Sequence, residues 1–269
     1  MKLSVAIADS TAMPNAFVVF RGFEASIRQA ARLGYDGVEL ALKLASEVDR
    51  AALRAWLSGA GIEVSCISTG QVFAALGLTL SNPDAGRRAE ALRVFRDLID
   101  LASEFGRMVN IGRARGSVGS RARHEVEALF LESVGELCAY AAPRGVTMLV
   151  EPVNRYEIDF VNSVEDGAAL LDRLGAENLK LMPDVFHMNI EDRTIGGELQ
   201  RHARHVGYVH LADSNRLAPG WGHTDFGDIF KHLREAGYDG WVSVEILSRP
   251  DPDSAAKQAA DFLKPFVRG

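Results

Sequence analysis

Thr147-Met-Leu-Val-Glu151-Pro is an apolar run closed by an acid, and the pattern recurs three more times before the chain ends. Leu179-Lys-Leu-Met-Pro-Asp184 closes on Asp184, Val206-Gly-Tyr-Val-His210-Leu carries His210, and Trp241-Val-Ser-Val-Glu245 closes on Glu245. The runs are short, apolar and mostly not alternating, as strands buried on both faces of a parallel sheet are. A buried carboxylate needs a partner, and three carboxylates close together repel strongly without a cation. Two Glu, one Asp and one His at the ends of neighbouring strands therefore read as one divalent-metal site.

The same reading extends towards the N-terminus. Strand candidates at 3–8, 37–40, 63–69 and 108–112 join those at 147–152, 179–184, 206–212 and 241–246, making eight. Helical patterns lie between them, at 86–105, 123–142 and 163–174, with apolar residues on one face and charges on the other. Gly34, Gly61, Gly106, Gly145, Gly175 and Gly237 each follow a helical stretch, where a left-handed residue ends the helix. Ser163-Val-Glu-Asp166 looks like an N-cap with an acid at N3. Gly34-Tyr-Asp-Gly-Val-Glu recurs as Gly237-Tyr-Asp-Gly-Trp-Val, a weak internal repeat entering strands two and eight.

No linker or low-complexity segment interrupts this alternation. The expectation is a single α/β domain over 1–269, a closed (β/α)₈ TIM barrel, for which about 250 residues is the usual length. An open doubly wound sheet is the structural alternative.

Composition narrows the function classes. A net charge of −6 argues against nucleic acid as the main partner, because phosphate binding usually leaves a basic footprint. Cys66 and Cys138 lack C-x-x-C spacing and read as buried reduced thiols of a cytoplasmic protein. The N-terminal apolar stretch is too short for a signal peptide, and no run approaches the roughly 20 residues of a membrane helix. No Gly-x-Gly-x-x-Gly fingerprint is present, so no nucleotide cofactor is expected.

In a barrel, active-site groups come from the C-terminal ends of strands and the loops after them. Glu151, Asp184, His210 and Glu245 then fall on strands five to eight and converge on one ion. Three carboxylates and an imidazole favour Mn²⁺ or Mg²⁺, with Co²⁺ possible, over a thiolate-rich zinc site. Glu157, His187 and Arg216 lie on loops of the same face and could hydrogen-bond a polyol. His223 and Asp225 have a spacing that could hold a second metal, against which the scarcity of strand-end histidines weighs.

At these motifs the chain resembles the sugar isomerase/epimerase superfamily built on the xylose-isomerase-like barrel, and within it the ketose 3-epimerases of the D-tagatose 3-epimerase type. The resemblance is carried by Glu151-Pro-Val-Asn-Arg-Tyr-Glu-Ile-Asp-Phe-Val-Asn, Pro183-Asp-Val-Phe-His-Met-Asn-Ile-Glu-Asp, His210-Leu-Ala-Asp-Ser-Asn-Arg and Val242-Ser-Val-Glu245. Ser68-Thr-Gly-Gln71, Gly77-Leu-Thr-Leu-Ser-Asn-Pro, Arg115-Gly116 and the run 215–226 are most similar to 5-keto-L-gluconate epimerases, which interconvert that sugar acid with D-tagaturonate. The resemblance implies that Glu151, Asp184, His210 and Glu245 are metal ligands and that Glu151 and Glu245 double as the two bases. It implies that Glu157, His187 and Arg216 hold the carbonyl end of the substrate, and that the protein is a homodimer or homotetramer. Val185 departs from the family pattern, which has threonine after the metal-binding Asp.

The chemistry is coherent on its own terms. Inverting a carbon beside a ketone means removing its proton and returning one to the opposite face, a task for two bases and a cis-enediolate. Each positioned acid or base typically contributes about 10²–10⁴-fold. Arg113 and Arg115 follow strand four, and two cations there suit a substrate carboxylate better than a neutral ketose. On that reading, removing Arg115 weakens binding of tagaturonate far more than of tagatose. The competing readings are an aldose–ketose isomerase such as hydroxypyruvate isomerase, a DNA-repair endonuclease on the same barrel, and a non-catalytic sugar-binding protein.

Overall fold

The apolar runs become parallel strands in a computed structural model describing residues 1–269. The eight are β1 (Lys2–Ala8), β2 (Gly37–Ala41), β3 (Glu63–Ser68), β4 (Met108–Ile111), β5 (Thr147–Val150), β6 (Leu179–Leu181), β7 (Val209–Leu211) and β8 (Trp241–Val244). They pair in the order β6-β5-β4-β3-β2-β1-β8-β7, and a two-residue strand, Phe20–Arg21, adds to β1 outside that path. Parallel bridges Leu181↔Val206 and Asp184↔His210 join the two ends. The Leu181 N–H donates to His205 O at 2.7 Å and the His210 N–H to Pro183 O at 2.8 Å. The sheet thus closes on itself as a (β/α)₈ barrel of the xylose isomerase-like type; it is not an open doubly wound sheet.

The strands are shorter than the apolar runs that announced them, for one physical reason. The last residues of several runs leave the ladder to turn into loops, and that turning puts their polar side chains at the barrel mouth. β5 stops at Val150, one residue before Glu151, and β8 stops at Val244, one before Glu245. β6 stops at Leu181, and Asp184 becomes the N-cap of the helix Val185–Glu191, accepting the Phe186 N–H at 2.9 Å.

The outer helices bury the stripes their periodicity sets apart. Ala85–Ala102 presents Ala91, Val94, Phe95, Leu98, Ile99, Leu101 and Ala102 to the sheet, and Asp84 caps it by accepting from Gly86 and Arg87. Each such Leu, Ile or Phe contributes about 1.5–3 kcal/mol on burial. Arg123–Ala141 and Val164–Leu174 pack likewise, the latter opened by a capping box between Ser163 and Asp166. Gly61 ends its helix at φ 68°, and Gly237 stands at φ 71° ahead of β8. An apolar cluster of 70 buried residues fills the space between strands and helices. No helix is long and apolar enough to cross a membrane.

Side chains two apart on a strand share a face. The residues two before the strand-end polar groups therefore form the next layer down inside the barrel. Leu149, Met182 and Tyr208 pack there with Cys66 and Trp241, a plug beneath the mouth. Cys66 and Cys138 are both free and buried.

Candidate metal centre

Glu151, Asp184, His210 and Glu245 each offer a ligand atom, and these atoms all lie within 4.8 Å of one another. Asp184 and His210 are wholly buried, and Glu151 and Glu245 are only slightly exposed. His210 Nδ1 is 3.3 Å from Glu151 Oε1 and 3.9 Å from Glu245 Oε2. Glu151 Oε2 accepts from Asn110 Nδ2 at 3.1 Å.

The electrostatics of the cluster fit a cation. Asp184 Oδ1 caps its helix, but Oδ2 is buried with no hydrogen-bond partner. A polar atom left so in a low-dielectric interior costs about 1–3 kcal/mol, more when charged. Burial and the Glu151 charge beside it push Glu245 up to about 8, against the opposing pull of His210. Burial raises Glu151 too, but the hydrogen bond and charge of His210, helped by the Asn110 hydrogen bond, bring it down to about 2. Three carboxylates share one imidazole, and a hard divalent ion would balance the excess while taking up the free Asp184 oxygen.

A second group stands above the first. Arg216 sits at φ 62°, a left-handed position that aims its guanidinium back across the mouth. It donates to Glu157 Oε1 at 2.7 Å and Glu245 Oε2 at 3.2 Å, between the rings of Phe17 and Phe186 with centroids 3.6 and 4.8 Å away. His187, in the helix after Asp184, is buried. Asn154 Oδ1 accepts the Tyr156 N–H at 3.0 Å, which turns its Nδ2 towards His187 Nδ1 at 2.7 Å. Nδ1 is then the acceptor, and the ring proton sits on Nε2, 3.6 Å from Asp184 Oδ2. Burial, outweighing Asp184 and Glu151, holds this imidazole below its ordinary pKa, hence neutral.

These groups line one cleft at the barrel mouth. Glu151 and Glu245 line it together with Glu157, His187, Arg216, Ser68, Gln71 and Arg113, and the segment after β1 contributes Met13 and Asn15 to Val18.

Residues 27–266 match the family described as "Xylose isomerase-like TIM barrel". The chain belongs to that family. It is 31% identical to an L-ribulose 3-epimerase of Methylomonas sp. (strain DH-1) over 90% of this chain and 91% of that protein. It is 29% identical to a D-psicose 3-epimerase of Ruminiclostridium cellulolyticum over 83% of this chain and 78% of the relative. The crystal structure of a D-psicose 3-epimerase with D-tagatose from Clostridium cellulolyticum H10 superposes with a TM-score of 0.84 at 23% identity, covering 100% of both chains, a likeness of fold.

Two arginines expected together lie apart. Arg115 is wholly buried and donates to four main-chain carbonyls: Phe160 O at 2.6 Å, Glu151 O at 2.8 Å, Val161 O at 2.9 Å and Gly112 O at 3.0 Å. It does not line the cavity. Its guanidinium ties the loop after β5 to the end of β4 and helps hold Val161 at φ 58°, so the expectation that it meets a substrate carboxylate finds no geometric support. Arg113 does line the cavity. Its guanidinium lies 5.5 Å from the Phe73 ring centroid and has no carboxylate partner. Asp225 caps the helix Phe226–Glu235, and His223 Nδ1 lies 3.0 Å from Ser214 Oγ, so neither joins the metal cluster.

Sequence reading missed Glu39, Asn110, Asn154 and Phe17. Glu39 carried a usable signal, a charge inside the buried run Gly37-Val-Glu-Leu. Asn154 lay inside a quoted motif, but its role depends on which way its amide turns. Phe17 lies in a stretch without periodicity and offered none.

Proposed function

We propose that this protein is a divalent-metal-dependent ketose 3-epimerase acting on a keto-sugar acid, the 5-keto-L-gluconate/D-tagaturonate pair being the best candidate, with Mn²⁺ as its metal. The coarser statement stands on family: the protein is an enzyme of the carbohydrate epimerase and isomerase type. The observation that carries the finer one is the pairing of Glu151 and Glu245, two glutamates that line one cavity and contribute to the same ligand cluster.

Glu151, Asp184, His210 and Glu245 would hold the ion, which supplies Lewis-acid polarisation of a substrate carbonyl, worth several kcal/mol. The side chains do the rest. One glutamate takes the C3 proton from one face of the sugar, and the other returns a proton to the opposite face. Asn110 orients Glu151 from below, and Arg216 orients Glu245 from above. Neutral His187 presents Nε2–H as a donor to a substrate oxygen. Arg216 and Glu157, locked to each other, offer a fixed donor and acceptor to the carbonyl end.

Arg113 supports the sugar-acid reading. Of the two cations in the cavity, Arg216 is already paired with Glu157 and Glu245, while Arg113 is not. A neutral ketose leaves that charge unmatched; a terminal carboxylate accepts from it. A homodimer or homotetramer is also proposed, and Tyr156, 81% exposed on the loop beside Glu157, supports a subunit contact at the mouth.

Proton NMR in heavy water, with Mn²⁺ present and a panel of ketohexoses and ketohexuronates, tests this function. Deuterium should enter at C3, fastest in a ketohexuronate. Incorporation at C1 would assign an aldose–ketose isomerase instead, and no exchange across the panel would leave a sugar-binding protein.

A further inference from the structure

Glu39 is a wholly buried carboxylate in the middle of β2, and the chemistry above does not use it. An isolated buried charge is expensive, so its surroundings must account for it. His210 Nε2 lies 3.1 and 3.0 Å from its two oxygens. The Tyr208 hydroxyl donates to Oε2 at 3.0 Å. That hydroxyl also meets Ser65 Oγ at 2.7 Å and Ser4 Oγ at 2.9 Å. The Tyr208 ring stands edge-on to the His210 ring at 5.7 Å and 86°. Side chains from β1, β2 and β3 and from the β7 run thus meet at one carboxylate directly under the metal cluster.

An ionised carboxylate only accepts, so the ring nitrogen facing Glu39 carries a proton. Nδ1 lies on the side of Glu151 and Glu245, within hydrogen-bond reach of Glu151 Oε1; an ion held there would take the Nδ1 lone pair in place of that proton, and the one ring proton left would be on Nε2, facing Glu39. We infer that Glu39 is a positioning residue that fixes His210 as its Nε2–H tautomer and turns Nδ1 towards the cation, with Tyr208 and the two serines holding the carboxylate in place. This rests on the metal reading proposed above. A carboxylate behind a ligating histidine sets the tautomer and raises the basicity of the ligand, and its loss typically costs about 10–100-fold in metal affinity.

The test is calorimetric titration of Mn²⁺ into the metal-stripped full chain, wild type against E39Q and Y208F. E39Q should weaken Mn²⁺ binding by about 10–100-fold, and Y208F by less. Long-range ¹H–¹⁵N spectra of the Mg²⁺-loaded wild type, which need no variant, should show the proton of His210 on Nε2. A proton on Nδ1, or E39Q binding Mn²⁺ within about twofold of wild type, would overturn the inference and leave Glu39 a packing residue. A wild type that binds no Mn²⁺ would instead defeat the metal reading itself, and this inference with it.

Discussion

The Arg115 guanidinium donates to the main-chain carbonyl of Glu151 at 2.8 Å, so a residue that never reaches the cavity sets where one of its two glutamates stands. The same side chain holds Gly112, Phe160 and Val161 through their carbonyls. Removing it leaves the buried Phe160 and Glu151 carbonyls without a donor, while Val161 O keeps the Val153 N–H and Gly112 O keeps the main-chain N–H of residue 115, at a penalty of about 1–3 kcal/mol for each carbonyl left dry. R115A is therefore expected to lose several kcal/mol of stability, read as a large fall in urea midpoint. Any residual activity should fall equally on ketohexuronates and neutral ketohexoses. A loss confined to the acids would place the guanidinium in the cavity after all.

Arg113 carries the opposite expectation. R113A should leave the melting temperature nearly unchanged, since the half-buried side chain stacks on Phe73 but makes no ion pair. It should lower kcat/KM for a ketohexuronate by about 10–100-fold, the worth of a charge-assisted hydrogen bond at about 1.5–3 kcal/mol, and spare a neutral ketohexose. Steady-state kinetics on the two substrate classes decide it.

Asn154 fixes the proton of His187 on the side facing Asp184. N154D has the same shape but only accepts at that position, and so draws the ring proton to Nδ1. The Nε2 donor is then lost to the substrate. The expected outcome is a fall of about 10²-fold or more in kcat, the low end for a positioned proton donor. A variant with kcat near that of wild type would show that His187 does not donate.

Asp192 gives the protein a pH-dependent stability unrelated to catalysis. Burial first, then the charges of Glu198, Glu191 and Asp166, raise it from its ordinary 3.8 to about 7, against the Val164 N–H that bonds it. Its Oδ2 is buried without a partner. The folded protein binds this proton more tightly than the unfolded chain does. The stabilisation is complete below about pH 4 and is lost as pH rises to about 7. D192N keeps the acceptor for Val164 and removes the titration. Its melting temperature should exceed that of wild type at pH above about 7, with the difference closing towards pH 4. Parallel pH profiles of the two proteins would contradict this.

What was legible in the sequence is what local pattern encodes. Each apolar run that ended on Glu151, Asp184 or Glu245 became a strand leading to the mouth, because burial on both faces demands continuous hydrophobicity and a closed barrel brings neighbouring strand ends together. What stayed hidden depends on distant partners. Glu39 matters because His210, 171 residues later, meets it across the barrel. Arg115 looked like a pocket residue from its place after β4, but carbonyls 45 and 46 residues further along claim it. The segment at 13–18 has no periodicity, and only the packing of Phe17 on Arg216 gives it a role.

The central claim is that Glu151 and Glu245 serve opposite faces of one carbon. It is tested most directly by solvent-deuterium exchange at C3 of each epimer separately, in E151Q and E245Q samples of measured Mn²⁺ occupancy. Net epimerisation should fall by about 10²–10⁴-fold in both variants. Each should still exchange the C3 proton of one epimer, and the epimer that exchanges should swap between them. Two variants that retain exchange on the same epimer, or that epimerise at the wild-type rate, would contradict the assignment of one glutamate to each face.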